Sequence, residues 1–169
     1  MFRPRVARSF LPAYALAVAG TVLKVYQWYH SRPLWVDEQM VLLNARDRAF
    51  SELAGSLWFD QAAPLGWLAI QRVVITAFGT SDRAMRAVPV LFGIATLWAG
   101  CWMARRWMTP FSAAVFIAIC GIGQWITFYA LEAKPYSADA FWALFLPALA
   151  IWAAGPADQD RVSLERTAI

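Results

Sequence analysis

Acidic side chains are scarce in this chain, and three of them stand where apolar sequence meets polar. Asp37 and Glu38 are adjacent in LWVDEQM, just after an apolar run over residues 10–29. Glu132 follows a later apolar run in FYALEAKPYS, with Lys134 two residues on. Carboxylates beside hydrocarbon are costly, and those that persist there tend to have a use. One such use is general-base chemistry, in which a carboxylate takes the proton of a hydroxyl as its oxygen attacks a sugar carbon. If a phosphate departs, donors or cations must take up its charge, and Arg32, Arg86 and Lys134 lie in the same segments. The plainer readings are structural. Asp37 or Glu38 would start a helix, Glu132 would pair with Lys134, and the three cations would anchor at an interface with their heads in water. For Arg32 the anchor is the preferred reading. Tyr129 and Tyr136 bracket Glu132 and suit either a sugar ring or an aromatic interface belt, the belt being the more economical account.

The elements that must position these groups follow from composition and hydropathy. The chain has 169 residues, 60% of them hydrophobic and 15% charged, with 10 Trp. Soluble domains are about 45–50% apolar and about 25% charged, so a membrane protein is expected. The net charge of +4 comes from Arg clusters such as FRPRVAR and ARRW at segment ends. These read as topology signals and not as the basic stripe that nucleic-acid binding needs, so no nucleic-acid partner is expected. Cys101 and Cys120 fall inside apolar segments and read as small hydrophobes, without metal-ligand spacing. The N-terminal run also fits a signal peptide cleaved after AVAG, but it continues to Tyr29, long enough for an uncleaved span.

Four spans are expected, at about residues 10–29, 87–103, 111–130 and 138–154. Pro64–Gly79 is the weak fifth candidate: it has about 16 residues, with Gln71 and Arg72 at its centre, and a mid-membrane Arg is expensive. Parity decides. With FRPRVAR inside and four spans, ARRW is cytoplasmic, and LEAKPYS shares the outer face with WVDEQM. Five spans would separate Glu132 from Asp37. Pro64–Gly79 is therefore read as an interfacial or partly re-entrant helix. Val36–Leu57 is read as a surface helix, with Leu42, Ala45, Ala49, Leu53 and Leu57 on one face and Asn44, Asp47, Arg48, Ser51 and Glu52 on the other. Residues 30–86 then form an outer platform carrying two membrane-parallel helices. Residues 155–169 form a polar cytoplasmic tail.

The ordered pieces WVDE, FDQAAPLGWL, FGTSDRAMRAVPVLFG, ARRW and FYALEAKPYSADA resemble the N-terminal part of GT-C-fold glycosyltransferases. The nearest likeness is to protein O-mannosyltransferases, aminoarabinose transferases and rhizobial galacturonosyltransferases. The resemblance implies a polytopic helical enzyme of a bacterial inner membrane. Such an enzyme moves a sugar from a polyprenyl-phosphate donor to a hydroxyl of a glycan, lipid or protein acceptor on the periplasmic face, with both termini in the cytoplasm. It implies Asp37 as the catalytic base or its close partner, Glu38 as a second acid, and Glu132 as the second-loop acid that holds the acceptor, the sugar or a cation. Arg86, Lys134, Gln61 and Tyr136 are the expected substrate contacts. Gln61 stands in QAAPLGW, where relatives carry a basic His-Pro-Pro or Lys-Pro element, and supplies hydrogen bonds but no charge. Carboxylates suit Mg²⁺ or Mn²⁺, yet the family does not uniformly need metal and no metal site is assigned. Relatives continue for several more spans, which implies a truncated or split enzyme whose remaining spans come from a separate chain. The competing class is a small non-enzymatic membrane protein, such as a transporter or lipid-carrier translocation subunit.

Overall fold

The computed structural model describes residues 10–30 and 32–154; FRPRVAR and the tail at 155–169 lie outside the described residues. Every described element is helical, as expected. The α-helices are α1 (Leu11–Tyr29), α2 (Val36–Asp47), α3 (Leu65–Phe78), α4 (Asp82–Met85), α5 (Ala87–Trp107), α6 (Pro110–Ile122), α7 (Gln124–Tyr129) and α8 (Tyr136–Ala154). Two 3-10 turns, Phe50–Ala54 and Trp58–Asp60, join α2 to α3.

The long helices form a bundle around α5, which packs against α1, α6 and α8, while α1 also packs on α6. Small residues permit the close approach. A Cβ on Gly20 of α1 would lie 2.7 Å from the Cα of Gly121, and one on Gly93 of α5 would lie 2.8 Å from the Cβ of Ala130. Such contacts let the helix backbones approach closely and pack by van der Waals contact. Ala13, Ala17, Cys101, Ala104, Ala113 and Ile117 fill the α1–α5–α6 seam. Thr109 caps α6 through its hydroxyl, which accepts from the Ser112 N–H at 3.3 Å, and Pro110 sits where a first-turn proline costs nothing. Arg105 and Arg106 close the last turn of α5, where the helix dipole favours cations.

Two helical stretches, Asp82–Trp107 and Tyr136–Ala154, are long and apolar enough to cross a membrane. The others differ from simple spans for visible reasons. α1 has 19 residues but encloses Lys24, which is fully buried. The expected continuous span over 111–130 is instead broken into α6 and α7 at Gly123, whose φ of −58° and ψ of 126° leave the helical region. Lys24 makes the break tolerable: its ammonium donates to the carbonyl oxygens of Cys120 (3.3 Å) and Gly121 (3.2 Å), and the Thr127 hydroxyl donates to Gly121 at 3.4 Å. These donors satisfy carbonyls that the interrupted helix leaves open. The hydropathy of the run carries no trace of that arrangement.

The platform also departs from the expected pattern. The surface helix ends at Asp47 and not at Leu57, because Arg48 turns extended (ψ 153°). Leu42, Ala45 and Leu53 are buried as the periodicity predicts. Asn44, assigned to the polar face, is buried too, and it pins the following loop: its amide donates to the Trp58 carbonyl at 3.3 Å and its oxygen accepts from the Trp58 N–H at 2.7 Å. Pro64–Gly79 forms α3, ended by Gly79 at a φ of 81°, a conformation glycine adopts without strain. Arg72 does not face hydrocarbon. Its guanidinium donates to the backbone carbonyls of Ala45 and Arg48, tying α3 to the end of α2.

Candidate functional site

Helix α2 begins immediately after the extended residues 32–35, so its first turn carries both adjacent acids, and a helical turn aims them in different directions. Glu38 points inward and has no exposed surface. Its Oε1 accepts from Arg86 Nε (3.2 Å) and the Ala133 N–H (2.8 Å); its Oε2 accepts from Arg86 Nη2 (2.7 Å) and the Trp35 N–H (2.8 Å). Arg86 is 1% exposed and also donates to the carbonyls of Arg32 and Pro33. One carboxylate thus joins the start of α2, the α4–α5 junction and the loop after α7. Glu38, expected as a second acid, thus has all its oxygens engaged by protein groups, while Arg86, expected as a phosphate contact, makes four protein hydrogen bonds and also lines a groove beside α7. They form a clamp that positions the site.

Asp37 points outward, with its side chain 56% exposed, and Lys134 Nζ donates to its Oδ2 at 2.5 Å. That hydrogen bond holds the Asp37 carboxyl below the usual aspartate range. Burial works against the Lys134 charge, but the bond to Asp37 and the neighbouring Tyr136 and Glu132 hold its ammonium above the usual lysine range. Glu132 is 14% exposed and lies 3.6 Å from Arg32 Nη2. Burial first, and then the Glu38 and Asp37 charges, push its carboxyl up, against the opposing pull of Arg32 and Lys134. The fold therefore brings Asp37, Glu132 and Lys134 together from loops about a hundred residues apart.

Arg32, read from sequence as an interface anchor, is instead central. Its guanidinium lies 3.8 Å from Glu38 and 3.6 Å from Glu132, between the faces of Trp35 (4.8 Å) and Phe128 (5.0 Å). Its neighbour Trp35 hinted at a stacked cation, but Phe128 comes from 96 positions away. Gln61 lies beside α2, its amide 3.8 Å from the sulfur of Met40, one turn beyond Asp37. The preceding Phe59 and Asp60 adopt left-handed φ values of 61° and 52°, a strained state for such residues.

Tyr136 closes one end of a groove of about 500 Å³ that runs between α5, α7 and α8, lined by Gly93, Thr96, Trp125, Tyr129 and Ala140. Its ring meets Tyr129 edge-on at 5.3 Å and lies 5.9 Å from Lys134 Nζ. The groove's lining is largely apolar, with the Thr96 and Ser137 hydroxyls set in it. Asp37 and Glu132 each face a protein cation, and among the described residues no group of three or more His, Cys, Asp or Glu is arranged to hold a metal. Comparison with protein-family models, curated proteins and solved structures finds no match for this chain.

Proposed function

We propose that this chain carries the catalytic face of a glycosyltransferase that takes a sugar from a polyprenyl-phosphate donor and delivers it to a hydroxyl acceptor. The observation that supports it most is the Asp37–Lys134 pair, an exposed carboxylate held below its usual range beside an ammonium that lies 5.9 Å from the ring of Tyr136, a residue lining an apolar groove. The isoprenoid chain lies in the groove and the phosphate meets Lys134. Asp37 accepts the acceptor hydroxyl's proton, the acceptor oxygen bonds to the anomeric carbon, and the carbon–oxygen bond to phosphate breaks. The lipid phosphate leaves with that electron pair, and Lys134 takes up its charge. Glu132, held towards its neutral form, orients the acceptor by hydrogen bonding. In this reading α1, α5, the α6–α7 pair and α8 are four crossings of a bacterial inner membrane, with both termini cytoplasmic and the acids periplasmic.

Membranes carrying this chain should transfer sugar from undecaprenyl-phosphate-linked donors. Asp37→Asn should cut that transfer by about 10²–10⁴-fold without lowering the amount of protein in the membrane. Transfer unchanged by that substitution would remove Asp37 from the mechanism, and with it this reading.

One observation favours a transport role as the second reading. A buried Lys24 at a helix break resembles the discontinuous helices of transporter cores. The two readings part on flux: vesicles carrying this chain should move a charged solute in the transport reading, whereas Asp37→Asn, which leaves Lys24 and the helix break untouched, should abolish only sugar transfer.

A further inference from the structure

Helix α7 has a groove on each side. Opposite the apolar one lies a second, of about 420 Å³, between the last turns of α1 and the inner flank of α7. Its wall differs in kind. Gln27, His30, Arg32, Gln124 and Thr127 supply amide, imidazole, guanidinium and hydroxyl groups, set among Leu23, Phe128 and Leu131. Two of the polar atoms here, Gln27 Oε1 and Arg32 Nη1, are buried without a hydrogen-bond partner among the described residues. A buried polar group left unpaired costs about 1–3 kcal/mol, a cost that a ligand hydrogen-bonding to both atoms would remove; Arg32 Nη1 has only Glu38 Oε2 near it among the described residues, at 3.8 Å. Arg32 also ends 3.6 Å from Glu132, so a ligand held by Arg32 in this groove lies beside that acid.

We infer that this second groove is the acceptor site, and that its ligand is an amphiphile with a hydroxylated headgroup bearing one anionic group. The inference rests on the glycosyl-transfer reading above. Arg32, its guanidinium over the rings of Trp35 and Phe128, is a planar donor suited to a phosphate or carboxylate. Gln27 and Gln124 match hydroxyls, which both give and accept hydrogen bonds. Leu23, Phe128 and Leu131 match the start of an acyl chain. Donor and acceptor thus enter from opposite flanks of α7 and meet at Asp37 and Glu132, so neither has to leave for the other to bind. Arg32 is here a binding residue that sets which acceptor is taken.

Phosphatidylglycerol, with one phosphate and two headgroup hydroxyls, is the probe for this groove, and undecaprenyl phosphate is the probe for the other. The protein is reconstituted with both in phosphatidylcholine nanodiscs, and retained lipid is counted by native mass spectrometry. Arg32→Gln and the exposed-groove variant Gln124→Leu should each lower retained phosphatidylglycerol by about tenfold, the loss of one charged or well-placed hydrogen bond, and leave undecaprenyl phosphate retained. Ala140→Leu, which fills the apolar groove, should do the reverse. Phosphatidylglycerol retention unchanged in both second-groove variants, or both lipids lost together, overturns the assignment. Failure of the wild-type protein to retain undecaprenyl phosphate would instead sink the donor reading, and this groove would then no longer be an acceptor site.

Discussion

Asp37 and Glu38 are neighbours in the chain and opposites in the fold. Glu38 is wholly enclosed and takes four hydrogen bonds, two of them from Arg86, itself buried. Asp37 is more than half exposed and shares one short contact with Lys134. A single helical step of about 100° separates a charge used to hold the chain together from one left available for chemistry. The enclosed carboxylate takes four hydrogen bonds, and the Arg86 guanidinium gives four. The open pair keeps its charges where a ligand can reach them. One carboxylate is thus buried in the architecture and the other open to solvent, and each can be perturbed without the other.

The largest effect should come from breaking the enclosed pair. Glu38→Gln or Arg86→Met leaves a buried charge without its partner, which costs about 3–5 kcal/mol, read as a much lower unfolding midpoint in detergent and reduced membrane abundance. The double variant Glu38→Met/Arg86→Met should recover part of that loss, because no lone charge remains, but not all of it, since the N–H groups of Trp35 and Ala133 lose their acceptor. A midpoint unmoved by Glu38→Gln would mean that the clamp does not hold the site.

Next in size is a wedge in the bundle. Gly20→Leu forces side-chain atoms against the Gly121 backbone and should cost about 1–3 kcal/mol, measured by the same unfolding assay. By contrast Asp37→Asn removes a surface pair worth about 0–1 kcal/mol, so its midpoint should stay close to that of the wild type.

The smallest effect is in pH dependence, and its sign separates the two open acids. The Asp37 carboxyl is depressed in the folded chain, so its stabilisation is present above the unfolded value of 3.8 and is lost as pH falls through the lower folded value. The Glu132 carboxyl is raised, so its contribution is present below its unfolded value of 4.5 and is lost as pH rises through the higher folded value. Glu132→Gln should therefore flatten the stability curve on the near-neutral side of 4.5, and Asp37→Asn on the acid side of 3.8. Identical curves for the two variants would show that the acids do not differ in environment.

How far the sequence discloses this is uneven. Periodicity and turn residues place most helix ends within a few residues, because Pro110, Gly79 and the apolar runs act locally. The parity argument pairs WVDEQM with LEAKPYS, and the fold puts those segments in contact through Asp37 and Lys134. What escapes is whatever depends on a partner far along the chain. Glu38 and Arg86 are 48 residues apart, and nothing local to either distinguishes a clamp from a catalytic acid. The α6–α7 break depends on Lys24, which lies 96 and 97 residues from the carbonyls it satisfies. Arg32 becomes central only when Phe128 and Glu132 arrive beside it.

The account depends most on Asp37 and Glu132 sharing one outer membrane face, and labelling can measure that directly. Asp37→Cys and Glu132→Cys are introduced singly into a chain whose Cys101 and Cys120 are replaced by Ala, and intact cells are treated with a membrane-impermeant maleimide. Both positions should be modified from outside without permeabilising the membrane. Modification of position 37 from outside and of position 132 only after permeabilisation would put the acids on opposite faces, and no shared site could then exist.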